Sequence, residues 1–181
     1  MYQLIIPAME EYDEVNEVFV YSKEQTLQLE HSLVSISKWE KKWHKPFLSN
    51  DKKTDDETLD YIRCMTKTQN VDLKIYNRIT PQMIDGIVTY INDPMTATWF
   101  SEDTTGKDSN NEIITSEIIY YWMLTLQVPV EFQKWHLNSL LALIKVCNIK
   151  NSPTKKMSNK ETLSRNKAIN EARKRKWNTR G

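Results

Sequence analysis

Glycine is nearly missing: the 181 residues hold three, Gly86, Gly106 and Gly181. Gly181 is the last residue, Gly106 lies in a polar stretch, and Gly86 falls inside a helical pattern. Neither G-x-G-x-x-G nor G-K-[ST] can be written, which excludes the common phosphate-cradling loops. Cysteine is limited to Cys64 and Cys147. Each sits in an amphipathic stretch and reads as a free thiol buried like a small apolar residue. Long apolar runs are also missing. The longest, Ile118–Leu124, is seven residues, far short of a membrane span, so no membrane partner is expected. Met1–Pro7 has no basic n-region and is too short for a signal peptide, which predicts a protein made and assembled in a cytoplasm.

Metal-ligand spacings are lacking too. His31, His44 and His136 form no H-x-x-x-H or C-x-x-C pattern. No metal, cofactor or catalytic residue is therefore assigned. A Cys–His nucleophile pair has no local motif behind it. Asp55 and Asp56 fall in the first turn of a helix, where acidic side chains complement the helix dipole. His31 alternates with Leu29 and Leu33, the place of a hydrogen-bonded core or interface histidine.

Charge polarity and aromatics are what the chain does have. Residues 150–181 hold eleven Lys or Arg against Glu161 and Glu171, a net +9. Residues 1–149 hold fourteen basic against twenty-two acidic residues, a net −8, so the overall +1 hides a dipolar chain. Such asymmetry points to a charged partner or to a second copy. Six Trp and eight Tyr are many for this length and serve either cores or binding surfaces.

Periodicity predicts an α+β protein: an N-terminal β-hairpin or small antiparallel sheet on a mainly helical body, with a C-terminal basic helix. The divisions are a body at 1–149 and a helical arm at 150–181. Tyr2–Ile6 reads as an edge strand. Val15–Tyr21 and Leu27–Val34 read as a hairpin turning at Ser22–Thr26. Capping boxes at Ser37-Lys38-Trp39-Glu40 and Thr54-Asp55-Asp56-Glu57, and Thr80-Pro81, open three helices. Met95–Phe100 and Ile113–Thr115 read as a second small hairpin flanking a polar loop, Ser101–Asn111. Ser116–Leu126 is apolar nearly all round and reads as a buried central helix. Pro129 opens a helix to about Asn148. Asn151–Met157 is a linker, and Ser158-Asn159-Lys160-Glu161 opens the last helix, to about Trp177.

Trp39 and Trp43 share a helix face and serve either as core or as anchors for a partner. In the last helix Arg165 and the run Arg173-Lys174-Arg175-Lys176 beside Trp177 suit an acidic protein groove or a base-stacking contact. These eight residues are the predicted partner-binding set.

Three aromatic-rich stretches carry a resemblance: Ser35–Leu48, Thr115–Met123, and Lys134–Asn138 with Leu143–Asn148. With the Arg- and Lys-rich ending they resemble a family of small tailed-bacteriophage morphogenesis proteins, over about residues 30–181. The resemblance implies a non-enzymatic role in tail morphogenesis, most often as a tail assembly chaperone binding another tail protein. It implies host cytoplasm during assembly, with retention in the virion left open. The alternatives are a virion structural component of the tail, baseplate or head–tail junction, and a phage nucleic-acid-binding protein using the basic helix. Expected partners are other phage tail or virion proteins, or further copies of the chain.

Overall fold

The computed structural model describes residues 1–13, 17–100, 113–151 and 159–177. The fold is α+β, with a small antiparallel N-terminal element on a mainly helical body. Two compact units divide the chain, Met1–Asn148 and Ile149–Gly181.

Four strands open the first unit: β1 (Tyr2–Ile6), β2 (Met9–Asp13), β3 (Val18–Ser22) and β4 (Gln25–Leu29). β1 pairs with β4, and β2 with β3. Tyr2 lies opposite Leu29 and Ile6 opposite Gln25, then Met9 opposite Ser22 and Asp13 opposite Val18. One register therefore runs through both ladders, making a single long hairpin interrupted at Pro7-Ala8 and Lys23-Glu24. Pro7 has no N–H to give a ladder. Its carbonyl instead accepts a hydrogen bond from Arg78.

This corrects the expected hairpin. The turn lies before Val18, and β4 pairs with β1 rather than with the strand that precedes it. Residues 15 and 16 lie outside the described residues. Leu27 and Leu29 do point inward, joined there by Leu4 and Ile6. The alternation predicted the buried face correctly but not the partner, because pairing partners are not local in sequence.

Helix α1 (Leu33–Trp43) starts earlier than the expected capping box. Its N-cap is Ser32, whose side chain accepts from Ser35 N while Ser35 Oγ accepts from Ser32 N. From Leu33 onward the buried residues follow a helical period, Leu33, Ile36, Trp39 and Glu40, so helix replaces the expected last turn of strand. His44 ends it at φ 52°, in the left-handed region, just before Pro46.

Helices α2 (Asp55–Met65) and α3 (Pro81–Asn92) start where their caps predict. Thr54 and Glu57 form a reciprocal capping box, and Thr80 caps α3 with Pro81 in its first turn. Gly86 in α3 lies against β1. A Cβ there would come within 2.5 Å of the Tyr2 hydroxyl, whose ring stacks on Tyr90.

Neither Met95–Phe100 nor Ile113–Thr115 is a strand, which corrects the second hairpin. The first segment is committed elsewhere. Asn138 Nδ2 donates to Asp93 O at 2.7 Å, Ser139 Oγ to Met95 O at 2.7 Å, and Met95 N to Asp93 Oδ1 at 2.8 Å. These bonds tie the start of the segment to α5 and to Asp93 instead of to a strand partner. Ser101–Asn111 and Ser158, the cap of the expected last box, lie outside the described residues.

Helix α4 (Ser116–Thr125) buries one face only: Ser116, Ile119 and Met123. Tyr121 and Leu124 are exposed, correcting the all-round burial expected from composition. The helix expected from Pro129 is broken in two. A 3-10 turn covers Val130–Lys134, and α5 runs Leu137–Asn151. Between them Ser32 and His136 form a β-bridge, and Leu137 N donates to His31 O at 2.9 Å. The chain leaves the helix to bond the short segment between β4 and α1.

The core joins β1, β4 and all five helices of the first unit around Leu29, Leu33, Ile36, Ile62, Ile119 and Leu140. Helix α6 (Asn159–Trp177) belongs to the second unit.

Candidate interaction surfaces

Trp39 and Trp43 build the α1–α2 contact. Trp39 is 1% exposed, and its Nε1 donates to Glu57 O at 2.9 Å. It has no surface left to anchor a partner on the folded body. Trp43 is half-buried and donates to Asp60 Oδ2 at 2.9 Å. Around them acidic side chains are buried with partners. Lys45 bonds Glu57 at 2.5 Å, and Lys42 pairs with Asp60. The Lys45 hydrogen bond, with the Thr54 backbone N–H, holds Glu57 below the usual carboxylate range. Lys53 donates to Phe47 O at 2.8 Å and lies over the Trp39 and Phe47 rings. Burial pulls its pKa down. This cluster is a fastening between helices.

Glu40 is a second fastening. Its carboxylate accepts from Phe47 N and from Ser116 N, both at 2.8 Å. Thr115 makes no side-chain cap for α4, so Glu40 reaches from α1 to satisfy that N-terminus.

His31 is a core histidine. Its Nδ1 lies 2.5 Å from the Tyr61 hydroxyl, and its ring meets His136 edge-on at 5.1 Å between centroids. Burial, with the nearby His136, lowers the His31 pKa to about 3. Burial also lowers that of His136, whose Nε2 is 3.1 Å from Tyr90 O, and raises that of Tyr61. His31 and the Tyr61 hydroxyl share a buried hydrogen bond, and the pair is structural.

Beside α5 an open cleft of about 640 Å³ is lined by Trp135, His136, Ser139 and Leu143, facing Met95 and Thr96. Three of its polar groups are engaged: His136 with Tyr90 O, Ser139 with Met95 O, and Glu30 with Lys67.

Two elements stand uncovered, and one of them was not expected. The β2–β3 arm exposes Met9, Tyr12, Val18, Phe19, Val20 and Tyr21. In the register, Tyr12 faces Phe19 and Glu10 faces Tyr21, and the Tyr12 and Phe19 rings pack at 5.0 Å. By strand alternation this is the face that carries Leu4 and Ile6 in β1, where it is core. Past Pro7 none of the described residues of the body buries it. Phe19 is 70% and Tyr21 66% exposed. The sequence signal was present, Val18-Phe19-Val20-Tyr21 beside five acidic residues in positions 9–17. An apolar run does not say what it packs against, so the sequence alone places it in the body.

The other uncovered element is α6. Every side chain described in it is exposed, including Arg173, Lys174, Leu163 and Ile169. The side chains of Arg165, Arg175, Lys176 and Trp177 lie outside the described residues. Among the described residues no helix is long and apolar enough to cross a membrane. Comparison with protein-family models, with curated proteins and with solved structures finds no match to this chain.

Proposed function

We propose that the chain is a non-enzymatic morphogenesis protein of a tailed bacteriophage, a tail assembly chaperone that binds another tail protein. The phage setting rests on the resemblance over about residues 30–181. The observation that carries the binding role is the pair of uncovered elements of opposite charge: the acidic, aromatic β2–β3 arm and the basic helix α6. Exposed aromatics on an acidic strand cost solubility unless a partner covers them. A long, helical, aggregation-prone tape-measure protein offers such cover. Holding it requires apolar anchors and complementary charge, both of which this chain displays.

The test is purification of the tagged full-length chain from infected cells, beside mass spectrometry of purified particles. The expected result is a tail protein recovered with the chain at fixed stoichiometry, and particles that lack the chain. Recovery in virions would assign it instead to the tail, baseplate or head–tail junction. Retention on DNA, with affinity falling steeply with salt, would assign it to nucleic-acid binding.

A further inference from the structure

We propose that the β2–β3 arm of one copy receives helix α6 of another, so that the protein self-associates head to tail. This does not depend on the tail-assembly reading. Three observations converge on it.

The first is an uncovered sheet face of anchor quality. Tyr12, Phe19 and Tyr21 share one face of a two-stranded ribbon whose opposite face shows Met9, Val18 and Val20. Among the described residues neither face has cover, and an isolated two-stranded ribbon is marginal in water. The second is charge. Residues 9–22 hold Glu10, Glu11, Asp13, Glu14 and Glu17 and no basic residue, a net −5. Residues 159–177 hold seven Lys or Arg against Glu161 and Glu171, a net +5. The third is that α6 needs support. Its 19 residues include Thr162, Ser164, Asn166 and Asn170, weak helix formers, and no described side chain in it is buried. Helices of this kind owe their stability to docking.

The same charges exclude the simplest alternative, arm against arm, which would bring two acidic ribbons together. They also make the contact heterologous, since the surface that gives differs from the surface that receives. Such contacts close into rings or run on as open chains. Leu163 and Ile169 are exposed apolar residues of α6 available to meet the aromatic face. Each exposed ion pair is worth only about 0–1 kcal/mol, so the aromatic anchors must share the work.

The experiment is sedimentation equilibrium of the full-length chain with charge-reversed variants. The wild type is expected to self-associate at low salt and to dissociate as salt rises. Glu10→Lys with Glu17→Lys, and separately Lys167→Glu with Arg173→Glu, are each expected to be monomeric. Mixed in equal amounts the two variants are expected to reassociate, because each then supplies the charge that the other lacks. Phe19→Ser with Tyr21→Ser is expected to weaken association at least thirtyfold, about 2 kcal/mol. All substituted residues are exposed, so circular dichroism should report unchanged folding. A wild type that stays monomeric at low salt overturns the proposal, whether α6 docks on its own chain or on nothing. So does a mixture of the two variants that stays monomeric.

Discussion

His31 sets the acid limit of this fold. The unfolded chain takes up a proton there near pH 6.5, and the folded chain only near 3. Between those values the unfolded state binds more protons, so stability falls as pH falls. It is full above about 6.5 and is lost at up to about 1.4 kcal/mol per pH unit below it. His136, also depressed by burial, adds in the same direction. Urea melts at pH 7.5 and 5.0 should show this loss, and His31→Leu should flatten it. An equal slope in the variant would place the loss elsewhere. Glu57 acts in a separate window. Its lowered pKa gives stability that is present above the usual carboxylate range and disappears only in stronger acid. Glu40 makes a sharper prediction. Glu40→Ala leaves the Phe47 and Ser116 N–H groups buried without an acceptor, and should cost about 2–4 kcal/mol. Loss of cooperative stability under 1 kcal/mol would show that water replaces the carboxylate.

Among the elements, legibility followed locality. α2 and α3 could be placed from Thr54-x-x-Glu57 and Thr80-Pro81 because a cap is made by residues three apart. The inward face of β4 could be read from alternation, but its pairing with β1 could not, since nothing near Leu27 specifies Leu4. The break before α5 was hidden for the same reason. It is made by a bridge between Ser32 and His136, which are remote in sequence. In α4, apolar composition gave no information about which side faces the core. Among the candidate site residues, Trp39 is core, Arg173 and Lys174 are exposed on α6, and the β2–β3 arm carries no local signal of what it packs against. Two predictions belong here. Gly86→Val should destabilise by about 1–3 kcal/mol, since the added side chain displaces Tyr2 from its stack on Tyr90. Chemical denaturation checks this, and unchanged stability would mean that Tyr2 moves aside freely. Helix α6 should gain ellipticity at 222 nm as protein concentration rises, because docking supports it. A concentration-independent signal would contradict that coupling.

The molecule as a whole pairs a fastened body with two elements, the β2–β3 arm and α6, whose described side chains are largely exposed. Internal charges of the body are spent on its own joints, at Glu40, Glu57 and Asp60. The arm and α6 carry charge of opposite sign, acidic in one and basic in the other. Removing residues 151–181 tests this division. The truncated chain should melt cooperatively at the temperature of the full chain, and should neither self-associate nor recover a tail protein from infected cells. A truncated chain that unfolds, or one that folds and still captures its partner, would contradict the account.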